Sequence, residues 1–350
     1  MRTKVVAALL AILVALGGLN LFQSIQNRIN PQDEVFIETV SLADSDELSV
    51  QETGDRIIIS TSAVTVAKEA SGSEEVMISK RFTVKEGATL RADVFHAEFT
   101  IVTGSGNEAE VEVTLESMRM GRARERFEEM NWSVELKDGD IVILADEPRG
   151  WSNFNMDIDV TVQIPARFNI DLETSHGDIV IGDLEGELSM LTSHGDIELG
   201  NISSKRMWVK SSHGDIEGQS LRASVIELET SHADLEFESI ESEEFTARTS
   251  HADIDIDQLR GATTLRTSHG DVEVELVDDL GADIETQHGD VSVRVAKEAR
   301  LELDLQGAEV EVSSALRVNG RVSEDRVDGS INGGGNTLRV RTTHGEVVVR

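Results

Sequence analysis

Four stretches, TSHGDIEL (192–199), SSHGDIEG (211–218), TSHADLEF (230–237) and TSHADIDI (249–256), each set a histidine and an acid one residue apart. The pattern extends both ways, to TSHGDIVI (174–181), TSHGDVEV (267–274), TQHGDVSV (286–293) and TTHGEVVV (342–349). From His176 to His288 the histidines recur at steps of 18, 19, 19, 19, 18 and 19 residues. A fixed period this short marks a solenoid, in which each repeat is one coil and buries its apolar face only against its neighbours.

The columns of the repeat give the coil its shape. Apolar residues stand four before the histidine (Leu172, Met190, Val209, Leu228, Ala247, Leu265, Ile284) and three after it (Ile179, Ile197, Ile216, Leu235, Ile254, Val272, Val291). Serine or threonine stands two before. Apolar residues thus alternate on each side, with the period of a strand. Even offsets are apolar before the histidine and odd offsets after it, and a change of parity needs a corner. His-Gly-Asp supplies corner residues. Ala233 and Ala252 replace the glycine in two coils, so positive φ is not a strict requirement there. The expected fold is an all-β solenoid of about 19-residue coils, each with two short strands and two bends. The same offsets occur around His96, Asp138 and Gly307, so all nine histidines take one kind of position. MGRARERFEEM (120–130) reads as a short helix, and GSINGGG (329–335) as a turn before a further coil.

The N-terminus differs. MRTK followed by VVAALLAILVAL predicts an N-terminal apolar helix. Ala15-Leu16-Gly17 fits a signal-peptidase site, while extension of the run through Phe22 fits a membrane anchor over residues 5–22. Either places the remainder outside the cytoplasm, in the periplasm or at the cell surface. The expected organisation is a signal peptide or signal anchor with linker (1–29), an irregular β region with the first coils (30–167), and regular repeats with a C-terminal cap (168–350).

The formal charge of −34 at pH 7 repels nucleic acid and suits cations or basic partners. No cysteine is present, which removes disulfides, thiol catalysis and cysteine-based metal sites. Tyrosine is absent and aromatics are 4%, which argues against a stacking platform for sugars or bases.

RFTVKEGATLRADVFHAEFTIV, VTVQIPARFNIDLETSHGDIVI and GSINGGGNTLRVRTTHGEVVV, with the recurring TSHGDI, resemble a bacterial β-strand-repeat family of unknown function often labelled "putative adhesin". The resemblance covers roughly residues 80–350. It implies an exported, β-solenoid-like protein without established catalysis. Asparagine commonly stands in that family where this chain has histidine, which implies a corner role, since Asn-Gly is a turn dipeptide.

Two readings of the polar columns stand side by side. In one, histidine and serine or threonine form stacked corner ladders. In the other, His213, His232 and His251, with Asp215, Asp234, Asp253 and Glu236, bind Zn²⁺ or Ca²⁺. Carboxylates four after the histidine (Glu198, Glu217, Glu236, Asp255, Glu273) would stack outward, which is unfavourable unless screened. Bases such as Lys210, Arg248, Arg266 and Arg341 mark the strand before the corner, making the coil electrically two-sided. An enzyme needs a unique cluster that breaks the repeat, and here the acids and histidines are the repeat. The expected function is therefore a non-enzymatic, adhesin-like envelope scaffold. It would meet an envelope or surface protein or a polysaccharide, not nucleic acid. The alternative is a cation-responsive envelope sensor.

Overall fold

The computed structural model describes residues 73–147 and 156–350, together with strands Ser49–Thr53, Arg56–Ser60 and Thr65–Glu69. The expected apolar helix and signal segment within 1–29 lie outside the described residues. Among those described, no helix is long and apolar enough to cross a membrane. The chain divides into two compact units, Met1–Glu74 and Glu75–Arg350. In the first, the three strands form an antiparallel sheet.

The second unit is the coil stack. On the pre-corner face, Asn169–His176, Leu188–Leu191, Arg206–Lys210 and the later halves of Ile216–Glu229, Leu235–Arg248 and Ile254–Arg266 pair in parallel, coil upon coil. On the post-corner face, Ile179–Ile181, Ile197–Ser203, the earlier halves of the same long strands, Val272–Leu276 and Val291–Val295 do the same. Register matches the columns residue for residue, as in Glu217↔Glu236 and Leu228↔Ala247. Inward columns form one continuous core, with Ile197, Ile216, Met190, Val209 and Leu265 fully buried. Each such side chain contributes about 1.5–3 kcal/mol on burial. Gly218, which interrupts one apolar column, leaves room for the ring of Phe237 from the next coil, since a Cβ there would lie 2.7 Å from that ring.

The structure departs from the sequence reading in three places. First, the second bend is not always a break in the pairing: Ile216–Glu229 and Leu235–Arg248 run as single 14-residue strands across it, from the post-corner to the pre-corner face. Second, the segment around Asp138 is not a coil corner. Ser133–Lys137 and Asp140–Ala145 pair antiparallel across Asp138-Gly139, both at positive φ (55° and 98°). Asp-Gly in a two-residue loop is a strong hairpin signal, and it outweighs the shared apolar offsets.

Third, coil order departs from chain order at both ends. Thr89–His96 stacks directly on Asn169–His176, while Asp140–Ala145 lies on its other side. At the opposite end, Asn336–Arg341 and Glu346–Val349 lie between the coil of 282–295 and that of Leu301–Gln306 and Glu309–Val312. Antiparallel strands then cover the outer edges: Glu108–Ser117 beside Asp157–Pro165, Ser133–Lys137 beside Asp140–Ala145, and Arg326–Ile331 beside Leu301–Gln306. Reversing strand direction ends the parallel ladder, a means of blunting edge-to-edge association. The expected helix is present as Met120–Glu129, burying Ala123 and Phe127.

Candidate functional site

The corner carries the repeat's polar residues, and its backbone donors explain their order. Corner amides buried against the coil below need acceptors. The histidine N–H bonds the carbonyl one residue before the preceding corner's histidine, as His232 to Ser212 at 3.2 Å and His251 to Ser231 at 3.1 Å. At two corners the glycine N–H bonds the hydroxyl two before the histidine, Gly214 to Ser211 Oγ at 3.0 Å and Gly345 to Thr342 Oγ1 at 3.1 Å, whereas Oγ1 of Thr192, Thr230 and Thr249 is buried without a hydrogen-bond partner. The aspartate N–H donates to Oδ1 of the aspartate one coil earlier. This ladder runs through Asp178, Asp196, Asp215, Asp234, Asp253, Asp271 and Asp290 at 2.7–3.1 Å, and Glu346 N–H continues it at 2.7 Å. The apolar residue after the aspartate bonds forward, as Ile216 to Asp234 O at 3.0 Å.

At four corners glycine serves clearance rather than φ, while Ala233 and Ala252 accommodate a Cβ at the same position in two others. A Cβ on Gly195, Gly214, Gly270 or Gly289 would lie 1.8–1.9 Å from the carbonyl oxygen one coil away. Among the corner glycines only Gly177 has positive φ, at 135°.

The histidine rings form one column. His176, His194, His213, His232, His251, His269, His288 and His344 stack face to face, with centroids 4.6–5.0 Å apart and planes within 7°. His96 continues the column at 5.7 Å but tilted by 49°. His213 Nδ1 and His344 Nδ1 each lie 3.2 Å from the carbonyl oxygen of a neighbouring coil. A carbonyl only accepts, so Nδ1 carries the proton and Nε2 is the free ring nitrogen. Burial, with the charge of His194 beside it, lowers the pKa of His176 below the usual histidine value.

The sequence-predicted metal residues are adjacent in the fold. His213, His232 and His251 are consecutive rungs, 5.0 and 4.9 Å between centroids. Asp215, Asp234 and Asp253 are consecutive rungs of the aspartate ladder, each with Oδ1 taken by an amide of the next coil. Glu236 stands in the next outward column, in register with Glu217 and Asp255. Among the described residues, no group of three or more such side chains is placed to hold one metal ion. Two nitrogens on a single Zn²⁺ can be at most about 4.2 Å apart, less than the ring spacing of the stack.

The two outer faces differ in charge. Before the corner, charges pair between coils: Lys210 with Glu229 (2.7 Å), and Arg266 with Asp283 (2.8 Å) and Glu285 (3.3 Å). Asp304 accepts from Arg326, Arg339 and Arg341 at 3.2–3.3 Å. The sequence hid this last cluster because it depends on the inverted coil order. After the corner, Glu198, Glu217, Glu236, Asp255 and Glu273 occupy successive rungs of one column. Burial, then Glu273 and Asp257, raise the pKa of Asp255, against a smaller opposing effect of Arg294.

This stack of parallel coils closing on an inserted strand pair has counterparts. Residues 182–350 match the family described as Toastrack DUF4097. The Toastrack match bears out the resemblance to a β-strand-repeat family of unknown function. No curated protein matches the sequence. A solved "putative adhesin" from Parabacteroides distasonis is similar over 80% of this chain and 98% of its own, at 13% identity and a TM-score of 0.50. A "putative lipid binding protein" from the same organism (12% identity; 80% and 98% covered; TM-score 0.48) and a "putative adhesin" from Bacteroides fragilis (12%; 79% and 98%; 0.43) are more distant. At these identities the first shares the fold, and the other two support no argument.

Proposed function

We propose that the chain is a non-enzymatic, adhesin-like scaffold of the bacterial cell envelope, held outside the cytoplasm. Its outer faces would meet an envelope or surface protein, or a polysaccharide. The observation that carries this reading is the corner's hydrogen bonding. The aspartates of the repeat accept backbone amides of the next coil, which supports reading the repeat as architecture and leaves interaction to the faces. The name of the similar Parabacteroides distasonis structure, a "putative adhesin", is in keeping with it. Export rests on the apolar segment at 5–22.

Surface display of the full chain on a non-adherent bacterium tests the reading. Cell binding to polysaccharide- and protein-coated surfaces should rise, and should fall when Lys210, Arg248, Arg266 and Arg341 are changed to glutamate in a folded variant. Binding equal to that of undisplayed cells on every surface defeats it.

A second reading, a cation-responsive envelope sensor, is favoured by the five stacked carboxylates of the post-corner face. For the metal-stripped protein at fixed ionic strength, Ca²⁺ should raise Tm by several degrees, an effect lost on replacing Asp234, Glu236 and Asp253. A shift no larger than that from matched NaCl eliminates this reading.

A further inference from the structure

The stack finishes in outer strands of unequal length. Ser133–Lys137 beside Asp140–Ala145, and Val318–Val322 beside Arg326–Ile331, are five residues each. Short outer strands protect a sheet against edge-to-edge pairing. Ser73–Thr83 differs. It pairs with Glu108–Ser117, runs for 11 residues, and its sequence, SEEVMISKRFT, contains neither proline nor glycine. The next strand of the chain, Thr89–His96, is taken on both edges by Asn169–His176 and Asp140–Ala145, so it leaves the second edge of Ser73–Thr83 uncovered. Along a strand the sides alternate, so Glu75, Met77, Ser79 and Arg81 share one side and Val76, Ile78 and Lys80 the other. Val76 is 51% exposed. Lys80 Nζ donates to the carbonyl oxygen of Val134 at 2.6 Å, so its charge is held within the chain and its aliphatic stem remains at the edge.

We propose that this edge pairs antiparallel with the same edge of a second copy of the chain, about a two-fold axis through Ile78. The sequence is self-complementary in that register. Ile78 faces the partner's Ile78, Met77 faces the partner's Ser79, Val76 faces the partner's Lys80, and Glu75 faces the partner's Arg81. The facing charges are not exhausted inside one chain. Arg81 pairs with Glu110 at 3.1 Å and keeps 76% of its side chain exposed, and Glu75 pairs with Arg124 and keeps 40% exposed. A carboxylate and a guanidinium each have capacity for a second partner. Pairing therefore lines up Glu110, Arg81, the partner's Glu75 and the partner's Arg124 in a row that alternates in sign, and the two-fold axis makes that row twice. A shift of two residues in either direction sets Glu75 opposite Ser79 or Thr83 and loses the row. Residues 74–82 of each copy meet, which closes about nine backbone hydrogen bonds. The occupant of this edge is thus the chain itself, and the dimer is one sheet continued through the axis.

The absence of cysteine makes the register testable, because Ile78→Cys supplies the only thiol of the chain. Across the axis two such thiols face each other at a Cα separation within disulfide range. Under mild oxidation the full-length variant should run as a covalent dimer on a non-reducing gel. Thr83→Cys, whose two thiols would lie about 34 Å apart, should not. Sedimentation of the unaltered protein should give twice the chain mass. Glu75→Arg and Arg81→Glu should each weaken the dimer about tenfold, since each sets like charges opposite one another twice. The combined variant should regain it, because the row again alternates across the axis. If these residues act only within one chain, through Arg124 and Glu110, the combined variant should be worse than either alone. A single-chain mass at every concentration with no Ile78→Cys cross-link, or a combined variant weaker than both single ones, overturns the proposal.

Discussion

The two outer faces share one corner, one pitch and one core, yet they handle charge in opposite ways. Before the corner, bases and acids bridge neighbouring coils, as Lys210 does to Glu229 and Arg266 to Asp283 and Glu285. After the corner, five carboxylates lie rung over rung from Glu198 to Glu273, and Arg294 of the next coil pairs with the last of them. Like charges on paired strands destabilise, so the post-corner face must be held by something else. The aspartate ladder at its root is placed for that task, since each carboxylate takes an amide of the next coil. Parallel stacking therefore permits an unfavourable surface wherever the backbone beneath it is latched.

The harshest test breaks both faces together. Gly270→Val would drive a side chain into the Ala252 carbonyl, 1.8 Å from the Cβ position. A loss of more than about 4 kcal/mol is expected in urea unfolding, with poor soluble yield. Asp234→Ala should unlatch only the post-corner face. It strands the amide of Asp253, and a loss of about 2 kcal/mol is expected, with partial recovery in Asp234→Asn, which keeps an acceptor oxygen. If the two variants unfold alike, the aspartate is not a latch.

Smaller changes address charge alone. Glu217→Lys would give the post-corner face the alternation of the other. It should stabilise by about 0.5 kcal/mol at low salt, an effect that fades in 0.5 M NaCl. Lys210→Glu should have the opposite sign and a similar size, read from Tm. Asp255→Asn should raise Tm by about 1 °C at pH 7. The sign follows from the raised pKa: the folded state prefers the neutral carboxyl, so ionisation is a burden above the folded pKa, and that burden is relieved as pH falls through it. The benefit of the substitution should therefore disappear at acidic pH. His176 has the reverse sense, because its lowered pKa gives stability that is present above about pH 6.5 and lost as pH falls below it.

Much of the stack was legible in the sequence because its period is regular and its side chains alternate. The inward columns at Leu172, Met190 and Val209, and the corner between parities, follow from spacing alone. The electrical difference between the faces was legible for the same reason. The candidate residues His213, His232 and His251 were correctly placed on neighbouring rungs. Their parallel stacking was not, because ring orientation depends on contacts between coils. In sequence Asp215, Asp234 and Asp253 stand out only as metal-ligand candidates, since a bond from side chain to a distant amide leaves no mark on periodicity. Asp138 was misread because a hairpin and a corner can share the same apolar offsets and the same Asp-Gly pair. The coil order at the ends escaped for a deeper reason. Parallel rungs of like pattern are interchangeable, and sequence proximity does not decide which of them touch.

That inverted order bears on how the protein is made. Residues 301–312 are synthesised before residues 336–349, yet the later segment separates them from the rung at 282–295. The earlier segment therefore has no finished bed to lie on when it first emerges. A chain folding as it is threaded from one end must hold that place open, or let the later segment slip in like a keystone. Assembly here cannot be a simple winding from first turn to last.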